Sequence, residues 1–133
     1  MERTVVAEHT KDAIIRNPDN AQHAMRIKPV RARIRIMREG HVLAQTPAAL
    51  RVLEVGRDYY DPVIYVPLAS VSASLERVPN KTTHCPLKGN ASYYTLAGTA
   101  GGHAIAWMYA DPYPFASELG DHIAFYASEV VIE

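Results

Sequence analysis

From Val30 onward, proline and glycine cut the chain into short apolar stretches, and a chain so punctuated folds most readily as a series of short strands. The first stretch has a period of two: Val30, Ala32, Ile34 and Ile36 alternate with Arg31, Arg33 and Arg35. That pattern describes a strand with one buried and one wet face. Glu39-Gly40 offers a turn, and Val42 to Ala44 returns as the partner strand. Further strands are expected over Arg51 to Val55, Val63 to Val66 (between Asp61-Pro62 and Pro67), Ala91 to Leu96, His103 to Tyr109 and Val130 to Ile132. Gly98 to Gly102 reads as a hairpin connection. Ser117 to Tyr126 fits a short helix or an irregular cover, with Gly120 weakening the helix. Together these segments predict a mainly β, antiparallel domain over residues 30–133.

Residues 1–29 read differently. Asp12 to Arg16 is compatible with a short helix that Asn17-Pro18 should end, since the residue before proline avoids the α region. A second short turn is expected through Asp19 to Met25, and Pro29 closes the segment. The prediction is an N-terminal helical arm packed on the main body.

Composition narrows the function classes. With 133 residues there is room for one core, and 48% apolar content is enough to build it. Lys plus Arg and Asp plus Glu both number 14, so the broad basic field of a non-specific nucleic-acid binder is missing. The arginine row at 31, 33 and 35 then reads as a solvated strand face whose charges discourage edge-to-edge pairing. A single cysteine excludes an internal disulfide and a multi-thiolate zinc site. Neither a membrane-length apolar run nor a signal-peptide core is present, so a cytoplasmic protein without nucleic-acid or membrane partners is expected.

Two clusters could carry chemistry. In Thr82-Thr83-His84-Cys85-Pro86-Leu87-Lys88-Gly89-Asn90, a thiol, an imidazole and an amine fall within five positions. A nearby ammonium stabilises a thiolate, and His84 could act as its base. Cys85 and Lys88 approach across a Pro-containing turn, whereas adjacent His84 and Cys85 point apart on an extended chain. The bland alternative is a buried, inert Cys85 with an exposed Lys88. In the second cluster, Ala104 to Pro114, a strand places Trp107 and Tyr109 on one face and Met108 on the other. Those aromatics could wall a pocket or simply fill a core. Glu54 and Tyr65 are reserve ligand-binding residues if they face inward. Six scattered histidines show no metal-ligand spacing, Gly98 to Gly102 is not a phosphate loop, and no Gly-x-Ser-x-Gly elbow occurs. No metal or cofactor is expected.

The run Thr83-His84-Cys85-Pro86-Leu87-Lys88-Gly89-Asn90-Ala91-Ser92-Tyr93-Tyr94 resembles the T-H-C-P-x-K-G-x-A-S-Y-W signature of domain-of-unknown-function family 427. The resemblance continues through Ala106-Trp107-Met108-Tyr109-Ala110-Asp111-Pro112 and Ala124-Phe125-Tyr126. Upstream, Ala49 to Glu54 and Val63 to Pro67 resemble its A-L-x-x-x-E and V-x-Y-x-P segments. The resemblance implies a β-tent, in which two antiparallel sheets lean together and a pocket can open between them. Its zinc-binding and methionine sulfoxide reductase B relatives use thiols beyond the one found here, and the nucleotidyltransferase label the family has carried finds no supporting motif. The expected function is small-molecule binding between the two motif clusters, with thiol-dependent chemistry at Cys85, His84 and Lys88 if the domain is an enzyme. The alternative is a non-catalytic structural module, homo-oligomeric, in which Pro86, Gly89, Trp107 and Tyr109 serve the fold.

Overall fold

A computed structural model describes residues 14–99 and 102–133. Eleven strands form two antiparallel sheets among the described residues. They are β1 (Ile15–Asn17), β2 (Asn20–Pro29), β3 (Ile34–Arg38), β4 (His41–Thr46), β5 (Leu50–Val55), β6 (Val63–Pro67), β7 (Leu75–Cys85), β8 (Gly89–Leu96), β9 (Ala106–Met108), β10 (His122–Phe125) and β11 (Val131–Ile132). The larger sheet has the order β1-β2-β5-β6-β10-β9-β8-β7, and the smaller has β11-β3-β4.

The β3–β4 hairpin turns at Glu39 and Gly40, whose φ values of 50° and 80° suit the tight two-residue loop that matches strand twist. The hairpin leaves the large sheet after β2 and packs against one of its faces. Ile36, Leu43 and Ala44 meet Val66, Ala106, Met108, Ile123 and Phe125 there in one apolar core. Alternation along each strand sends the intervening residues to the other, inner face. Met25, Ile27, Val52, Tyr65, Ala91, Tyr93 and Ala124 form a second core on that side. Leu87, at the tip of the β7–β8 hairpin, is fully buried in the same core as Met25 and Val52, so the sheet curls until its far end reaches β2 and β5.

Two expectations need correction. The N-terminal helical arm is absent: its described part, Ile14 to Pro29, is the β1–β2 hairpin, and β2 pairs with β5 from Ala24 to Pro29. Tertiary pairing overrides local propensity here, because His23, Met25 and Ile27 follow a two-residue period that faces the inner core. Asp12 and Ala13 of the expected helix, and Ala100 and Gly101 of the glycine-rich connection, lie outside the described residues. In the second case, the strand expected from Val30 begins at Ile34, and Ala32 is exposed. Ser117 to Tyr126 divides between the end of a 3-10 segment (Pro114–Leu119) and strand β10.

Edge strand β7 does not run straight. Its register with β8 shifts between Arg77 and Thr82, Pro79 lacks an N–H, and Asn80 has φ 59°. At its other end the hairpin closes through Gly89, at φ 118°, where an added Cβ would sit 3.4 Å from the Asp111 carbonyl oxygen. Gly89→Ala should therefore cost about 1–3 kcal/mol, the range for strained backbone positions. Urea denaturation checks this, with an unchanged midpoint as the contrary result.

Candidate functional site

The inner face of the large sheet collects most of the candidate residues. Glu54 follows Val52 on β5 at the same parity and points inward. Lys88 sits at the hairpin tip, only 5% exposed, and its Nζ donates to Glu54 Oε1 at 2.6 Å. The same ammonium lies 3.8 Å from Cys85 Sγ, a weak donor contact, and 6.0 Å from the centre of the Tyr109 ring. Pro86 and the Lys88 N–H to Cys85 C=O bond shape the turn that brings thiol and amine together.

The second oxygen of Glu54 accepts from His23 Nε2 at 2.7 Å. The tautomer follows from the surrounding bonds. Asn17 Oδ1 accepts from the Asp19 N–H, which leaves the Asn17 amide nitrogen to face His23 Nδ1 at 3.2 Å. An NH₂ group can only donate, so Nδ1 accepts and the proton resides on Nε2. Every donor in the chain Asn17–His23–Glu54–Lys88 therefore points toward the carboxylate. Burial pushes the Glu54 carboxyl up, but the Lys88 charge, the hydrogen bonds from Lys88 and His23, and the field of His23 together hold it below its ordinary 4.5.

Aromatic rings line the rest of this face. Trp107 meets Tyr65 edge-on at 6.3 Å and Tyr126 in a tilted pair at 4.7 Å. Tyr93 accepts the Lys81 ammonium over its ring at 4.5 Å, and its hydroxyl is hydrogen-bonded to Thr83 at 2.6 Å. Burial drives the Tyr65 and Tyr109 phenols far above the usual range, with nearby negative charge adding to it, so both remain neutral. Trp107 and Tyr126 are half-buried, which leaves part of this wall open to solvent.

Of the residues singled out from sequence, Cys85, Lys88, Glu54, Tyr65, Trp107 and Tyr109 share this face. His84 does not. It is exposed, and its two ring nitrogens meet Asn90 Oδ1 at 2.8 Å and the Tyr113 hydroxyl at 3.1 Å. Strand alternation separates it from Cys85. The space between the two sheets holds none of the candidate residues, being filled by the apolar core around Ile36, Leu43 and Ile123. The candidate residues gather instead on the opposite side of the large sheet. Sequence reasoning misses His23 because it lies in the short turn expected over Asp19 to Met25 of a helical arm; the spacing of His23, Met25 and Ile27 is the available signal. Tyr126 was noted only as part of a motif. Among the described residues, no group of three His, Cys, Asp or Glu side chains could hold a metal, and no helix is long and apolar enough to cross a membrane.

A family model described as a domain of unknown function, DUF427, matches residues 26–133. The chain belongs to this family. The matched region contains Glu54, Cys85, Lys88 and Trp107 but stops short of Asn17 and His23. The comparison with curated proteins returned no match.

The ion pair generates a stability prediction. Glu54→Gln leaves the buried Lys88 ammonium unpaired and should cost about 3–5 kcal/mol, whereas Lys88→Met combined with Glu54→Gln should recover most of that loss. A double-variant loss equal to the sum of the Glu54→Gln and Lys88→Met losses, read from urea midpoints, would show that the pair is not coupled. The pH dependence has a definite sign. Because folding lowers the Glu54 pKa from 4.5, its contribution is complete above about pH 4.5 and is lost as pH falls through the lower folded value. Glu54→Gln should flatten that acid limb of the stability profile.

Proposed function

We propose that this domain binds a small molecule on the inner face of its large sheet, against Trp107 and Tyr126, with the Lys88–Glu54 pair and Cys85 supplying polar contacts. The observation that carries this reading is a buried ammonium–carboxylate–imidazole chain set beside a half-open aromatic wall. Such a chain is dear to bury, and an apolar replacement of similar volume would often serve folding as well or better. Perturbed ionisable groups beside aromatic surface are what ligand recognition uses. A flat ligand bearing a polar group suits this lining: its plane lies against Trp107, and its polar edge meets Lys88, Glu54 or the neutral phenols.

In this reading Cys85 lines the site and is not a nucleophile. Lys88 Nζ is engaged by Glu54 at 2.6 Å and only weakly by Cys85 Sγ, 3.8 Å away. His84, engaged by Asn90 and Tyr113, is no base for the thiol.

Trp107 is the sole tryptophan, so its emission reports the site without deconvolution. Screening a small-molecule library by Trp107 fluorescence should find ligands that bind at least tenfold more weakly to a Lys88→Met variant with unchanged circular dichroism, while Cys85→Ser retains binding. If no compound alters the emission, or if hits bind wild type and Lys88→Met alike, the chain serves the fold and the binding reading is wrong.

A further inference from the structure

The small sheet covers the outer face of the large one over β6, β10 and β9, where Ile64, Val66, Ile123 and Met108 meet Leu43 and Ala44, and the same core extends to Tyr94 and Leu96 of β8 and Leu75 of β7. The outer face of β1, β2 and β5 is left without a covering layer among the described residues. Strand alternation places Arg16, Arg26, Lys28 and Arg51 there, with Ala24, Leu53 and Val55 between them. Lys28 and Arg51 are direct cross-strand partners, an arrangement in which like charges repel. None of these four cations forms an ion pair with a described residue. The Arg26 Nε is buried and has no hydrogen-bond partner.

Beside Arg16 and Arg26 lies a groove of about 310 Å³ lined by Ile14, Leu53, Val55 and Tyr59, with Ala24, Met25 and Glu54 also contributing to its lining; Lys28 and Arg51 flank it on the same face without lining it. Its apolar side chains stand open: Ile14 is 51% exposed and Tyr59 85%. A buried donor without an acceptor is costly, and so is a cluster of unpaired cations. An anionic head group would offset the charge of Arg16 and Arg26, and an apolar body would displace water from Leu53 and Tyr59. The guanidinium fork matches a carboxylate in geometry. The volume falls at the lower end of the roughly 300–1,000 Å³ of small-molecule pockets, so the ligand is small.

We infer that this groove is a second binding site, for an organic carboxylate with an aliphatic or aromatic body. Its cationic side chains, Arg16 and Arg26, stand on the opposite face of the sheet from the Lys88–Glu54 pair, although Glu54 also borders the groove.

Decanoate, titrated calorimetrically into the full chain below its micelle concentration, tests the inference. Saturable one-to-one binding is expected, with Trp107 emission unchanged. Decanol, which has the same body without the charge, should bind at least tenfold more weakly. Arg26→Gln should weaken decanoate binding at least tenfold, and Leu53→Asp, which charges the floor of the groove, should abolish it. Both variants are checked for wild-type circular dichroism; if Arg26→Gln fails to fold, Leu53→Asp and Arg16→Gln decide. The inference is overturned if decanoate does not saturate, if decanol matches it, or if the folded variants bind normally. Binding that quenches Trp107 would also overturn it, by assigning the carboxylate to the inner face. So would a single-stranded oligonucleotide that binds these cations when decanoate does not. None of these results bears on the small molecule proposed for the inner face except the quenching result, which would support that site.

Discussion

The bond between Lys88 and Glu54 ties together parts of the sheet that its hydrogen-bond ladder keeps far apart. In strand order, β5 and β8 are separated by β6, β10 and β9. Their meeting depends on the curl of the sheet and on the β7–β8 hairpin tip folding over its inner face. Leu87 provides the apolar part of that closure by inserting beside Met25 and Val52. Lys88, next in sequence, supplies the polar part. One turn thus sends a leucine and a lysine into the same interior, and the lysine is tolerated only because Glu54 waits for it. The tautomer of His23, set two hydrogen bonds away by the Asp19 amide, shows how far this arrangement is determined by its surroundings.

Much of the fold was legible in the sequence because the strands are short and sharply punctuated. Glu39-Gly40, Asp61-Pro62 and Pro67 marked turns or strand ends that the structure keeps. The parity argument for Trp107, Met108 and Tyr109 also holds, with Met108 in the core between the sheets and the other two in the inner core. The failures have physical causes. Asn17-Pro18 reads as a helix stop, but it also opens the turn between two strands, and local sequence does not separate those uses. Strand β7 was passed over because Asn80, Lys81 and the threonines carry almost no apolar alternation; it is exposed along most of its length. Glu54 lies 34 positions from Lys88, and no local pattern links them. Their pairing belongs to tertiary structure alone.

A net charge of zero conceals a strong segregation. The inner face holds a self-balanced set in which the carboxylate of Glu54 meets the ammonium of Lys88, beside the imidazole of His23. The outer face of β1, β2 and β5 presents cations without matching acids. Elsewhere Arg35 pairs with Glu133, and Arg38 with Glu129. Whole-chain charge therefore says little about what any one surface attracts: one face of the sheet is charge-balanced and the other is cationic over β1, β2 and β5.

The kinked course of β7 carries a consequence for how this chain behaves in company. A long outermost strand ordinarily offers its free amides and carbonyls to any neighbour, and a two-sheet protein without a closed barrel has nothing else to stop lateral growth. Here the proline at 79 withholds a donor, the left-handed Asn80 turns the backbone aside, and Lys81 adds charge at the same point. The sheet is terminated by chemistry in place of closure. The hairpin can project over the inner face, carrying Cys85 and Lys88, without seeding fibrils through its own margin.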